Sequence, residues 1–221
     1  PYGLDCLPCP VLGYNGSPGL NGEGIKPGGD VAGGLLQAAR EGYTPQWLPY
    51  MQINLPLKDL LGKYRPLIEA APVNLEVGFD GPTLDRLIPD DIAQAKVLLQ
   101  GRRVTAHLPF MSLAPGSTDS LVAELAMQRI NQAADLALEF GAEQAVGHLG
   151  YDPRFYRNLE EFAERIANNF RPLVRRLNEY GCRLALENVF EPGPATLLTV
   201  LEVLQEEPNL GLCLDVGHVY A

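Results

Sequence analysis

Long apolar runs are missing from this chain of 221 residues. None nears the ~18–20 residues that a membrane span needs, so no transmembrane helix is expected. The N-terminus lacks a basic region followed by an apolar core, which gives no reason to expect a secretory signal. A reducing cytoplasm is the expected compartment. Basic residues are outnumbered by acidic ones, 17 to 27, for a net charge of −10. A field of that sign disfavours nonspecific binding to nucleic acid or to an anionic membrane. The Gly-x-Gly-x-x-Gly fingerprint and the Gly-x-x-x-x-Gly-Lys phosphate loop are both missing, which counts against a nucleotide-binding sheet. Cysteine occurs four times. Cys6 and Cys9 have redox or zinc spacing, but no second pair completes a zinc site. Cys182 and Cys213 fall in or beside apolar runs, where cysteine serves as a small apolar residue.

What is present is divided unevenly. Glycine recurs densely from Gly13 to Gly34, and such a composition buries too little surface to offset its ordering entropy. Residues 1–50 are therefore expected to form a poorly ordered extension, apart from a short helix over 31–40. The folded domain is expected over 51–221. From Met51 the chain alternates between short apolar strands and helical periodicity. Strands are predicted near 51–55 and 73–79, and in runs ending at His107, His148, Glu187 and Asp215. Helices are predicted over 57–70, 83–100 and 195–206. Two longer ones lie between, one with an apolar stripe Val122, Ala126, Ile130, Ala133, Ala137, Phe140 stopped by Gly141. The other is capped by Asn158 and Glu161, faces the core with Phe162, Ile166, Phe170, Leu173 and Leu177, and is kinked at Pro172. Consecutive strands with helical crossovers make a parallel sheet. The fold class is α/β, a (β/α)8 TIM barrel that is incomplete, with about six of eight strands present.

The chain has only three histidines, and all fall at strand tips or just past them. Arg103-Val-Thr-Ala-His107, Gln144-Ala-Val-Gly-His148 and Arg183-Leu-Ala-Leu-Glu187 end in a metal-binding side chain, and Asp215 with His218 follows Leu210-Gly-Leu-Cys-Leu. In a barrel such tips converge on one mouth. Strand parity agrees. Thr105 and His107 share a face, as do Ala185 and Glu187, and Cys213 and Asp215. The ligand-bearing faces would line the lumen and the alternate faces would pack on helices. The same parity turns Asn74, Glu76 and Gly78 inward, and Asn54 would line the mouth. Imidazoles and carboxylates from several strands make a site for Zn²⁺ or Mn²⁺.

Four motifs, Ala106-His-Leu-Pro-Phe110, Gly147-His-Leu-Gly150, Leu186-Glu-Asn-Val189 and Cys213-Leu-Asp-Val-Gly-His218, resemble the metal motifs of the xylose-isomerase-like barrel superfamily. That superfamily holds the endonuclease IV enzymes (AP endonuclease family 2) and many sugar or sugar-phosphate isomerases and epimerases. The resemblance covers residues 51–221. It implies one to three divalent ions. His107 and His148 would bind one, Glu187 would bridge or sit centrally, Asp215 would bind a second, and His218 would bind another metal or the substrate. The superfamily's remaining ligands would come from a seventh and an eighth strand.

Departures from the endonuclease IV pattern lean toward the isomerase branch. Glu187 is followed by Asn-Val-Phe-Glu-Pro where those enzymes read Asn-Thr-Ala-Gly, and His148-Leu-Gly stands for His-Pro-Gly. Asp215-Val-Gly-His218 replaces Asp-Thr-Cys-His. The expected function is metal-dependent isomerisation or epimerisation of a small sugar or sugar phosphate, with Glu187 as acid/base or ligand and Glu76 as a second candidate. The alternative is a phosphodiesterase acting at abasic DNA, with Tyr151, Arg154, Phe155, Tyr156 and Arg157 on its mouth loops. A noncatalytic fragment is a third class, since six strands leave open edges. An oligomer is allowed.

Overall fold

The computed structural model describes residues 50–219, together with 11–12, 33–34, 37 and 40–42. Expectations for Cys6, Cys9 and most of residues 1–50 lie outside the described residues. Seven strands form one sheet: β1 (Val11–Leu12), β2 (Gln52–Pro56), β3 (Asn74–Gly78), β4 (Val104–His107), β5 (Gln144–Gly147), β6 (Arg183–Glu187) and β7 (Leu210–Cys213). They stand in chain order, each parallel to the next. The crossovers carry α1 (Leu57–Leu61) and α2 (Arg65–Ala70), then α3 (Gly81–Arg86) and α4 (Pro89–Leu99). After these come α5 (Ser120–Glu139), α6 (Leu159–Glu179), α7 (Ala195–Val203) and the short α8 (Val216–Val219). This is an incomplete (β/α)8 barrel. Among the described residues no helix is long and apolar enough to cross a membrane.

The strands differ from the sequence expectation at two points. β1 falls where no strand was expected; its backbone pairs with Gln52 and Ile53 and covers part of the edge of β2. β7 ends at Cys213, two residues before Asp215. The Asp215 peptide groups bond instead to the Asn188 side chain, which takes the place of a ladder partner.

Parity sorts the strand residues as expected. Ile53, Leu55, Leu75, Val77, Val104, Ala106, Ala145, Leu184 and Leu186 join the main core beneath the helices. Val146, Ala185 and Cys213 form a separate small cluster on the opposite, inner face. On α6 the expected face, Phe162, Ile166, Phe170, Leu173 and Leu177, is wholly buried. Removing the Phe162 ring would cost about 3–5 kcal/mol on general grounds. α6 runs unbroken through Pro172. On α5 the stripe starts at Ala123; Val122, in the first turn, is exposed.

Helix ends set where the strands begin. Asp80, Asp119 and Asn158 cap α3, α5 and α6 through their side-chain oxygens. Gly141 and Gly181 take positive φ after α5 and α6. Ala142 N–H then reaches back to the Ala137 carbonyl, and Cys182 N–H to that of Leu177, both at 2.9 Å. These are Schellman turns, which reverse the chain directly into β5 and β6. The Arg102 guanidinium ties the other end of the sheet. It donates to the carbonyls of Ile68, Ala71, Val73 and Leu98 at 2.6–2.8 Å, satisfying orphan carbonyls of α2 and α4.

Candidate metal centre

The parallel register brings the tips of β4, β5 and β6 side by side. His107 ends β4, and His148 follows the last residue of β5. Glu187 ends β6. Glu187 is the hub. Its Oε2 stands 3.8 Å from His107 Nε2, and its Oε1 stands 3.7 Å from His148 Nε2 and 3.8 Å from His218 Nδ1. Asp215 Oδ2 is 3.4 Å from His218 Nδ1. Two groups therefore share one carboxylate, His107–His148–Glu187 and Glu187–Asp215–His218. All five residues expected as metal ligands meet at one mouth.

The first group fits a cation. Ligand atoms about 2.1 Å from a shared ion stand about 3.4 Å apart at the tetrahedral angle and cannot exceed about 4.2 Å. The two nitrogen–oxygen distances, 3.8 and 3.7 Å, each to a different oxygen of Glu187, lie inside that range. His148 is only 6% exposed, and neither of its ring nitrogens has a hydrogen-bond partner. A buried polar group without a partner is costly, and a metal on Nε2 would supply one of the two missing partners. Its ring is held by stacking on Phe110, with centroids 4.1 Å apart. Gly150 lets the loop after β5 turn beneath the 113–115 segment: its φ is positive, and a Cβ there would lie 2.7 Å from the Leu113 carbonyl oxygen.

Burial governs the protonation of the group. It pushes the His148 pKa down to about 4, with the Glu191 charge opposing. It also lowers His107, against the pull of Glu76, and raises Glu187, against the pull of His107. His148 is thus neutral at neutral pH, the form in which imidazole binds a metal.

Glu76 joins neither group. It lies one layer deeper on the inner face, fully buried. Its oxygens accept from Asn54 Nδ2 at 2.6 Å and Thr105 Oγ1 at 3.2 Å. Register explains this, because Asn54, Glu76 and Thr105 are successive partners across β2, β3 and β4. Burial raises the Glu76 pKa, and His107 opposes it.

Four neighbours were not among the expected site residues. Phe110 walls His148, and the Cys213 thiol lies 3.7 Å from Glu187 Oε2. Asn188 bonds to Asp215 and His218. Glu191 folds back onto Val189 N–H at 2.7 Å and acts on His148 through its charge. The acid in Glu187-Asn-Val-Phe-Glu-Pro was the available signal for Glu191. Of the loop residues named for the DNA reading, Phe155 and Arg157 stay exposed. Tyr151 and Tyr156 are buried against Phe162, and Arg154 is paired with Asp152 at 2.6 Å.

Comparison with known proteins bears on the family and the fold. The family model described as xylose isomerase-like TIM barrel matches residues 74–221. The TTHB071 protein from Thermus thermophilus, in a structure soaked with ZnCl2, is 32% identical with a TM-score of 0.64; the match covers 76% of this chain and 66% of that one. A D-tagatose 3-epimerase-like protein is 23% identical with a TM-score of 0.63, over 76% of this chain and 66% of its own. A D-allulose 3-epimerase from Methylomonas sp. is 20% identical with a TM-score of 0.60, over 76% and 64%. The last two likenesses speak to the fold alone. The chain spans just under two thirds of the length of these structures. No curated protein matches it.

Proposed function

Because the chain belongs to the xylose isomerase-like TIM barrel family, we propose that it forms the metal-binding part of a divalent-metal-dependent isomerase or epimerase acting on a small sugar or sugar phosphate. The observation that carries this reading is His148, buried beside His107 and Glu187 with both ring nitrogens unpartnered. His107, His148 and Glu187 would hold one ion, and Glu187, Asp215 and His218 a second, with Zn²⁺ or Mn²⁺ suited to such nitrogen and oxygen donors. When bound, the metal polarises a carbonyl and holds adjacent hydroxyls.

The chain's own residues do the rest. Glu187 would take or return a proton at the carbon beside the carbonyl, since its carboxylate lies at the centre of the mouth. Phe110 keeps water from one face of the His148 ring. Glu76 is enclosed by Asn54 and Thr105, so it sets the charge beneath His107 rather than reaching a substrate. The fold shared with a D-tagatose 3-epimerase-like protein and a D-allulose 3-epimerase favours a sugar as the substrate class.

The test is Glu187→Gln, which removes a charge while keeping the shape. A protein extended to the length of its relatives should isomerise or epimerise a small sugar and leave abasic DNA uncut, and the variant should lose both turnover and metal. Full turnover and metal content in Glu187→Gln would reject the role. Cleavage of abasic DNA without sugar turnover would replace the reading with the phosphodiesterase. Glu76→Gln should retain metal and lose only part of the rate; complete loss would make Glu76 a direct participant.

A further inference from the structure

We propose that Asn188 is the positioning residue of the second metal position, the one formed by Glu187, Asp215 and His218. The proposal rests on the metal reading above. Asn188 is not a ligand, yet it touches both residues that complete this group and follows the third in sequence.

Its side-chain amide exchanges two hydrogen bonds with the Asp215 peptide groups. Asn188 Nδ2 donates to the Asp215 carbonyl at 3.0 Å, and Asp215 N–H donates to Asn188 Oδ1 at 2.8 Å. The pair imitates one rung of a ladder at the point where β7 has stopped pairing with β6. It fixes the Asp215 backbone next to Glu187. The Asp215 side chain is then divided. Its Oδ1 accepts from Gly217 N–H at 2.6 Å and His218 N–H at 3.1 Å, which leaves Oδ2 facing the His218 ring.

The Asn188 backbone performs a second task. Its carbonyl oxygen stands 2.8 Å from His218 Nδ1, nearer than the carboxylates of Asp215 at 3.4 Å or Glu187 at 3.8 Å. In the metal-free chain the ring therefore donates its Nδ1–H to this carbonyl, so Nδ1, the nitrogen that faces both carboxylates, exchanges this hydrogen bond for an ion when one binds. Outer groups that orient a metal ligand change affinity by about 10–100-fold, and the Asn188 side chain orients Asp215 in this way. One residue thus sets the backbone of Asp215 and holds the His218 ring in the metal-free chain. The first group contains neither contact: His107 and His148 are placed by β4, β5 and Phe110.

The test is Co²⁺ titration of the metal-free 221-residue chain, followed by calorimetry and visible absorption. The single-site variants His148→Phe and His218→Phe assign the two events. The parent should bind two ions. Asn188→Ala should weaken the event lost in His218→Phe by about 10–100-fold, while the event lost in His148→Phe moves by less than about twofold. Retention of that first event shows that the variant folds. If Asn188→Ala does not fold, Asn188→Gln replaces it, since it keeps both amide groups but displaces them by one methylene and should give the same selective loss. Two unchanged events in the folding variant would overturn the proposal alone. A parent that binds no Co²⁺ would overturn the metal reading and this proposal with it.

Discussion

The two halves of the mouth share Glu187 and little else. On one side His107 and His148 sit among apolar walls; the His148 side chain is 3% exposed and both its nitrogens are orphaned. On the other side Asp215 and His218 keep 30% and 29% of their side-chain surface, and most of their polar atoms already have partners within the protein. The first half is already desolvated, with both nitrogens of His148 left without partners. The second half is at rest without a cation, and its geometry depends on a hydrogen-bonded clamp. Ligand identity alone does not distinguish the two; burial and prior satisfaction do.

Glu187→Gln should have the largest effect, because it strikes both halves. Metal affinity should fall by more than about 100-fold at each position, beyond what the loss of an outer partner of a ligand costs. Calorimetric titration with Zn²⁺ reads it. Loss at only one position would mean that the carboxylate is not shared.

His148→Phe should come next, and its effect on the metal-free chain depends on pH. Burial holds the His148 pKa near 4, against an ordinary 6.5. Between those values the unfolded chain takes up a proton that the folded chain refuses. The parent therefore loses stability as pH falls from 6.5 to 4, whereas the variant is spared this loss. The gap in unfolding free energy should shift in the variant's favour by up to about 3 kcal/mol. Urea unfolding at several pH values checks this, and a gap independent of pH would mean that His148 is not buried as described.

Cys213→Ala should have the smallest effect. The thiol is a weak donor 3.7 Å from Glu187, so metal affinity should change by no more than about 1.5 kcal/mol, the upper end for a single hydrogen bond. A larger loss would make the thiol a ligand.

Much of this was legible in the sequence because parallel strands are short apolar runs and their period of two fixes which side chains share a face. Parity placed His107, Glu187 and Asp215 on one side, and the scarcity of histidine made each position informative. The Asn158 cap and the Gly141 stop were readable because each requires a particular side chain or φ. Other features left no local trace. A two-residue strand such as Val11–Leu12 has no period. Asn188 acts through amide geometry against a residue 27 positions away, so nothing in its neighbourhood separates it from an ordinary loop asparagine. Phe110 lies in one of the quoted motifs, yet its stacking on His148 depends on a loop path that no periodicity encodes.

The strict chain order of the sheet has a kinetic meaning. Each strand pairs only with its neighbours in sequence, so from β2 onward every closure spans one helical crossover and costs little loop entropy. Assembly can proceed from the N-terminal strands outward, and the centre is then completed in instalments. His107, His148 and Glu187 come together once β6 docks, while β7 is still free. An ion captured at that stage would bind a species that has three of its ligands and lacks Asp215 and His218. It would stabilise that intermediate before the native sheet is finished, and metal added during refolding would then change the route as well as the end point.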